Sequence, residues 1–343
     1  MTVTTVDLPD LTIVTGAGGW LGSALVAQLA TEQRRVRAFV RNRLEAEGLR
    51  ELGVEPVIGD LTDGGAIQAL FADATGTVDV LHAAGQIHPA KRTAELYAAN
   101  TETTERMLAA SQAAGVRRFV CVSSNSPYGT NAHPDDRFRD VEPYHPYYTY
   151  GDAKMKAELA VHAAVEAGLN AVIVRPPWFY GPYQPPRQTQ FFKMVRAGRF
   201  PVLGGGGQMR SMVYVENLVQ GVLLAELVDT PPGRSWWIAD ARPYSVSEIV
   251  DTVGRALTDE GFSVKPNSLK LPDFVGQIAE RIDATFQRFG RYNQQFHVLG
   301  EMNKNIACSI DGARAELGYD PQFELYDGMR ASIRWCVAQG MEL

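Results

Sequence analysis

Cysteine is scarce in this 343-residue chain: Cys121, Cys308 and Cys336 are widely spaced and form no CxxC pair. An odd, scattered set of three supports neither a disulfide framework nor a zinc knuckle, and a reducing, cytoplasmic setting is expected. Long apolar runs are missing too. No stretch approaches the ~18 uninterrupted apolar residues of a membrane span. Met1 to Asp10, which carries Asp7 and Asp10, lacks the basic start and apolar run of a secretory signal. Positive charge is in deficit, with 33 Lys+Arg against 39 Asp+Glu and a net charge of -6, which argues against a sequence-independent grip on nucleic acid. His82, His88, His133, His145, His162 and His297 show no HxH or HxxxH spacing, so no metal site is expected. What remains is ordinary: 45% hydrophobic and 21% charged residues, enough to bury a core in one large domain or a domain with an appendage.

Over the first 175 residues, short β-branched apolar runs alternate with longer helical patterns, the signature of βαβ units and a parallel sheet. Strands are predicted at Thr12–Thr15, Val36–Val40, Pro56–Ile58, Val78–His82, Arg118–Ser123 and Ala171–Arg175. Helices are predicted near Trp20–Thr31, Asp63–Phe71, Lys91–Ala114 and Tyr150–Ala167. The fold class expected is α/β, a doubly wound parallel sheet. Five prolines in the twelve residues from Arg175 to Pro186 mark a boundary, since that density fits neither a helix nor a central strand. Beyond it, helical patterns at Gln190–Ala197, Glu216–Val228, Val246–Leu257 and Asp311–Leu317 surround short strands at Met212–Val215 and Trp236–Ala239. The expected division is a dinucleotide-binding unit over 1–180, with 211–240 returning to it, and a substrate lobe from 181–210 and 241–343.

The first strand runs into Thr15-Gly16-Ala17-Gly18-Gly19-Trp20-Leu21-Gly22. Glycines spaced three apart at a strand-to-helix turn let the backbone approach a pyrophosphate, while the helix N-terminus offers free N–H groups to the anion. The spacing alone is weak evidence, and its place at the first turn supplies the context. An acid at the end of the second strand would hold the ribose of NAD, whereas an arginine there accommodates the 2′-phosphate of NADP. The strand ends Val40-Arg41-Asn42-Arg43, without an acid, so NADP(H) is favoured and NAD(H) remains possible. Asp60 either accepts a hydrogen bond from the adenine or caps the following helix.

Tyr150 and Lys154 stand four residues apart, on one face of a helix. A free phenol is a poor acid–base catalyst at neutral pH, and a nearby ammonium stabilises the phenolate, so Lys154 is expected to pull the Tyr150 pKa down. In the run Tyr144 to Tyr150 only Tyr150 has such a partner, and Tyr144, Tyr147 and Tyr148 read as loop packing or pocket wall. The fifth strand ends in Ser123-Ser124-Asn125-Ser126, at the carboxyl edge where α/β folds place their chemistry. A hydroxyl there either bonds a substrate oxygen or satisfies its own turn.

The ordered set Gly16-x-x-Gly19-x-x-Gly22, Asp60-Leu61, His82-Ala83-Ala84-Gly85, Asn100-Thr101, Ser123-Ser124, Tyr150-x-x-x-Lys154 and Arg175-Pro176 resembles the extended short-chain dehydrogenases/reductases, the epimerase/dehydratase-like group. Tyr214-Val215-Glu216-Asn217 and Ala315-Glu316-Leu317-Gly318-Tyr319 extend the resemblance over nearly the whole chain. The resemblance implies Tyr150 as acid/base, Lys154 tuning it and holding the nicotinamide ribose, Ser124 positioning the reacting oxygen and Asn100 supporting a proton relay. It places Gly16, Gly19, Trp20, Leu21, Gly22, Arg41, Asp60, Leu61, His82, Ala83, Ala84, Lys154 and Pro177 at the cofactor. It also implies a homodimer through the Lys91–Ala114 and Tyr150–Ala167 helices.

Dehydratases of this group resemble one another in an Asp-Glu pair after strand five, where this chain has Asn125-Ser126. Sugar-nucleotide epimerases commonly carry an Asn shortly after the strand-six arginine, where it has Pro176-Pro177-Trp178-Phe179. The Gly204 to Glu226 stretch is similar to the 3β-hydroxysteroid dehydrogenase and ketone reductase branch. Trp178, Phe179, Trp236 and Trp237 are either apolar pocket or core. Arg187 and Arg210 are either anion-capturing, which suits a polar or acid-bearing substrate, or surface salt-bridging. The expected activity is an NAD(P)-dependent exchange of secondary alcohol and ketone on a small molecule. The alternatives are an epimerase that retains its cofactor and a redox-sensing binding protein.

Overall fold

Five of the first six strands are buried at every residue, which requires cover on both faces and so a parallel sheet between helical layers. The computed structural model describes residues 4–343; Met1 to Val3, part of the stretch judged against a secretory signal, lie outside the described residues. The strands are β1 (Leu11–Thr15), β2 (Val36–Val40), β3 (Glu55–Ile58), β4 (Val78–His82), β5 (Arg118–Val122) and β6 (Ala171–Arg175). A late strand, Ser235–Trp237, pairs in parallel with β6, giving a seven-stranded sheet. From the late strand inward the order is β6, β5, β4, β1, β2, β3. The order reverses between β1 and β4, and the crevice above that point is where such sheets bind ligands.

Neighbouring residues point to opposite faces, as strand geometry dictates. Val14, Leu81 and Val120 join one apolar cluster and Ile13, Val80 and Phe119 the other. Helices α1 (Trp20–Thr31), α2 (Arg43–Glu51), α3 (Gly64–Phe71), α4 (Thr103–Ala113) and α5 (Tyr148–Glu166) supply the crossovers. A third cluster, built around Tyr180, Phe192, Tyr214, Val253 and Ile333, lies under the C-terminal half.

The single helix expected over Lys91–Ala114 is broken. A turn at Ala94–Tyr97 runs through a π-helical stretch at Ala98–Glu102 before α4 begins. Side chains compete there for main-chain carbonyls: Asn100 donates to Leu96 O at 2.8 Å, Thr104 to Asn100 O at 2.6 Å and Thr103 to Ala99 O at 2.8 Å. Four helices escaped the sequence reading: α2, Asp273–Arg288, Gln294–Glu301 and Leu325–Ala338. The helices at Thr189–Arg196, Val215–Leu227, Val246–Asp259 and Asp311–Leu317 lie where they were expected.

Glycine is required at two places in the first turn. Gly16 has φ +71°, and a Cβ on it would stand 2.8 Å from Ala83 O and Ala84 N. A Cβ on Gly22 would overlap the Gly16 carbonyl. Gly22→Ala is therefore expected to lose about 1–3 kcal/mol, the cost of overpacking, in urea unfolding, and to weaken dinucleotide binding. An unchanged unfolding midpoint would contradict this packing.

Candidate active site

At the carboxyl edge of the sheet, the β1 turn and the β4 turn press together. Thr15 Oγ1 accepts the Ala84 N–H at 3.3 Å, and Gly16 lies against Ala83 and Ala84. Helix α1 begins after Gly19, whose position provides no side-chain cap, so the first N–H groups of the helix, at Trp20, Leu21 and Gly22, are left for an anion. The Trp20 ring reaches the segment after β6: its indole donates to Pro182 O at 2.7 Å and its centroid is 4.7 Å from Phe179. Bare glycine backbone, an uncapped helix start and adjoining small residues fit a dinucleotide pyrophosphate.

Four of the expected cofactor residues have local engagements of their own. His82 is buried, with Nδ1 2.8 Å from Thr15 Oγ1 and Nε2 3.0 Å from Thr104 Oγ1. Burial, helped by the Lys154 charge, pushes its pKa down to about 3, so it is a neutral brace between β1, β4 and α4. Asp60 closes its own turn by accepting from Thr62 N–H and Thr62 Oγ1, both at 2.8 Å; the α3 cap is Asp63. Leu61 is buried in the apolar cluster with Phe39. Pro177 is buried just past β6. The strand end after β2 is not free of acid, because the Glu45 carboxylate folds back from α2 and accepts the Arg41 N–H at 3.0 Å. Arg41 and Arg43 are both exposed.

Ser124 Oγ accepts the Ser126 N–H at 3.3 Å and so satisfies its own turn; its hydroxyl also lies close enough to the Tyr150 phenol to favour ionisation there. Burial raises the Tyr150 pKa, the Ser124 hydroxyl opposes it, and the Glu301 charge adds to it, leaving the phenol at about 12. Lys154, expected to tune this phenol, is engaged on the strand. Its buried Nζ donates to Val122 O at 2.9 Å, next to Cys121 and Glu158. Burial holds the Lys154 pKa below its ordinary value against those two neighbours. A four-residue spacing fixes a shared helix face but not the atom that a long side chain reaches.

Asn100 is fully buried and its amide is spent: Oδ1 accepts the Gln86 N–H at 3.1 Å, and Nδ2 donates to Gln86 O and Leu96 O. The side chain clamps the post-β4 loop onto the π-helical stretch. The Thr104 hydroxyl takes its carbonyl.

Sequence reasoning passed over Glu158, one turn beyond Lys154. Its buried carboxylate accepts from Ser123 Oγ at 2.5 Å, Tyr128 OH at 2.8 Å, Tyr144 OH at 3.0 Å and Arg175 Nη2 at 2.8 Å. This ties α5 to the ends of β5 and β6. Its signal was available as a carboxylate on the inward face of a helix, four residues after the lysine.

On the substrate side, Trp236 and Trp237 are core, with indoles donating to Glu316 and to Arg139 O. Trp178 is 40% exposed and edge-packed on Phe191. Arg210 is not free to capture an anion: it donates to Glu301 O and lies 3.6 Å from the Glu301 carboxylate. Arg187 is exposed, and its charge reaches His88 and Tyr292.

The C-terminal half contributes polar groups that no motif signalled. His88 Nδ1 pairs with Tyr292 OH at 2.6 Å, and His297 Nδ1 with Asp283 Oδ2 at 2.8 Å. The His297 ring lies 5.9 Å from Tyr147 and 5.3 Å from Tyr292. Burial lowers the His297 pKa, but Asp283 and Glu301 more than offset it and hold it above the usual imidazole value. Tyr147 OH is buried without a hydrogen-bond partner among the described residues. The Glu301 charge acts on Tyr150, Tyr147, Tyr292 and His297 alike.

A doubly wound dinucleotide cradle with a Ser/Tyr/Lys constellation at its crevice defines the class. The NAD dependent epimerase/dehydratase family model matches residues 12–239, and the chain belongs to that family. An uncharacterized protein of Sinorhizobium fredii is 47% identical over 99% of this chain and 98% of its own length. A 2-alkyl-3-oxoalkanoate reductase of Stenotrophomonas maltophilia is 28% identical over 93% of this chain and 97% of its own. Among solved structures, UDP-glucuronic acid 4-epimerase from Bacillus cereus in complex with NAD matches with a TM-score of 0.74 at 20% identity. That match spans 97% of this chain and all of the other, a likeness of fold.

Removing Glu158 would strand a buried guanidinium. Glu158→Ala is expected to cost about 3–5 kcal/mol in denaturant unfolding. A loss below about 1 kcal/mol would show that the cluster does not hold α5 to the sheet.

Proposed function

We propose that the protein is an NAD(P)-dependent oxidoreductase that interconverts a secondary alcohol and a ketone, working most readily as a ketone reductase. Membership of the family supports a nicotinamide-dependent enzyme. The observation that carries the finer reading is the buried Tyr150 phenol beside Ser124 at the carboxyl edge of β5, with its pKa raised to about 12 by burial. At neutral pH such a phenol keeps its proton, as a donor to a carbonyl oxygen must. Ser124 steadies that oxygen. Lys154, fixed to Val122 O, sets the turn of α5 on which Tyr150 stands. The nicotinamide, when bound on the glycine turn, supplies or accepts the hydride.

The polar surroundings of Tyr150 favour a ketone with polar or acidic substituents over a wholly apolar one. The name of the Stenotrophomonas relative, a 3-oxoalkanoate reductase, points the same way. Residues 1–180 with 211–240 are taken as the dinucleotide-binding unit, and 181–210 with 241–343 as the substrate lobe. Arg41 and Arg43 favour NADP(H), and Glu45 pulls in the other direction. A homodimer through α4 and α5 and a cytoplasmic location complete the reading. The free, buried cysteines suit a reducing compartment.

The test is NADPH or NADH oxidation by the purified protein with a panel of 3-oxo acids and related ketones. Stoichiometric consumption is expected, and Tyr150→Phe should lower kcat by about 10²–10⁴ while leaving dinucleotide affinity unchanged. Turnover without net consumption would identify an epimerase instead. Because the Tyr150 pKa is raised, reduction should show no loss from phenol ionisation between neutral pH and about 10, whereas alcohol oxidation should climb with pH over that range. Reduction that falls away through pH 8 in wild type but not in Tyr150→Phe would contradict the assignment.

A further inference from the structure

Glu45 belongs to the first turn of α2, yet its carboxylate lies over the end of β2 and the glycine turn. Oε2 accepts the Arg41 N–H at 3.0 Å and Oε1 accepts the Asn42 side-chain amide at 2.7 Å. The same carboxylate fills the space that a side chain at position 18 would need, which only glycine leaves open. The Arg41 guanidinium stands 3.7 Å away and is otherwise exposed to solvent. In this kind of cradle, a carboxylate at the second strand's end accepts the ribose hydroxyl, whereas an arginine takes a 2′-phosphate. This chain places both groups at one point, from residues four apart on either side of a helix start.

We propose that Glu45 sets the dinucleotide preference, accepting the ribose hydroxyl of NAD(H) and opposing the 2′-phosphate of NADP(H), with Arg41 as its counterweight. The proposal rests on the glycine turn being a dinucleotide cradle. A phosphate monoester carries nearly two negative charges at neutral pH, so its approach sets it against the carboxylate and makes it compete for Arg41. The hydroxyl of NAD(H) instead donates to an acceptor already in place.

Glu45 also helps to close the α2 N-terminus, where Asn42 caps its N–H at 3.0 Å. Glu45→Gln keeps an acceptor for Arg41 N–H and removes only the charge, so the fold is retained and the thermal melt serves as the check. The experiment is fluorescence titration of the full chain with NADH and with NADPH, in the absence of substrate. In Glu45→Gln the affinity for NADPH relative to NADH should rise about tenfold or more. In Arg41→Gln it should fall by a similar factor, through NADPH alone. An affinity ratio unchanged within about twofold in Glu45→Gln would overturn the proposal. If wild type binds neither dinucleotide, the cradle reading fails and this inference fails with it.

Discussion

One hydrogen bond joins the halves of the site: the buried Lys154 ammonium donates to the Val122 carbonyl at the last residue of β5. A buried ammonium without a partner would be costly, so the strand end and the helix cannot slide past one another freely. With that joint made, Tyr150 one turn earlier lies against Ser124, two residues beyond Val122. One turn later, Glu158 draws Ser123, Tyr128, Tyr144 and Arg175 onto the same helix. The constellation is thus the visible end of a polar seam along the inner face of α5.

The same seam explains why the phenol is not acidic. Lys154 is engaged below the site, while Glu301 faces Tyr150 from the C-terminal half, so burial and a carboxylate both oppose ionisation. A protonated phenol and a neighbouring hydroxyl suit delivery of a proton to oxygen. His88 and Tyr147 pack on Tyr292 and His297, which the C-terminal half contributes to the fold.

The sheet was legible because strands buried on both faces read as unbroken β-branched runs and the glycine turn follows the first of them. The family and its reductase-like branch were legible because several modest motifs occur in a fixed order, and the family match and a reductase-named relative agree. Helix α2 was not. Arg43–Glu51 buries only Ala46 and Leu49 and contains Gly48, too thin an apolar stripe for periodicity to register. With α2 unseen, Glu45 had no route back to the strand end, and the acid appeared to be missing. The π-helical stretch inserts a residue for which no apolar pattern codes. Asp283, Tyr292, His297 and Glu301 lie more than a hundred residues beyond Tyr150, so only tertiary packing brings them to Tyr147 and its neighbours.

The central claim is that Tyr150 carries its proton at neutral pH, beside Ser124 and with the Lys154 ammonium held on Val122 O. It is tested most directly by ¹³C NMR of protein labelled at the tyrosine Cζ, with the Tyr150 signal assigned by its absence in Tyr150→Phe. The account predicts that this resonance stays at the phenol position from neutral pH to about 10. A shift to the phenolate position between about pH 6 and 8 would contradict it.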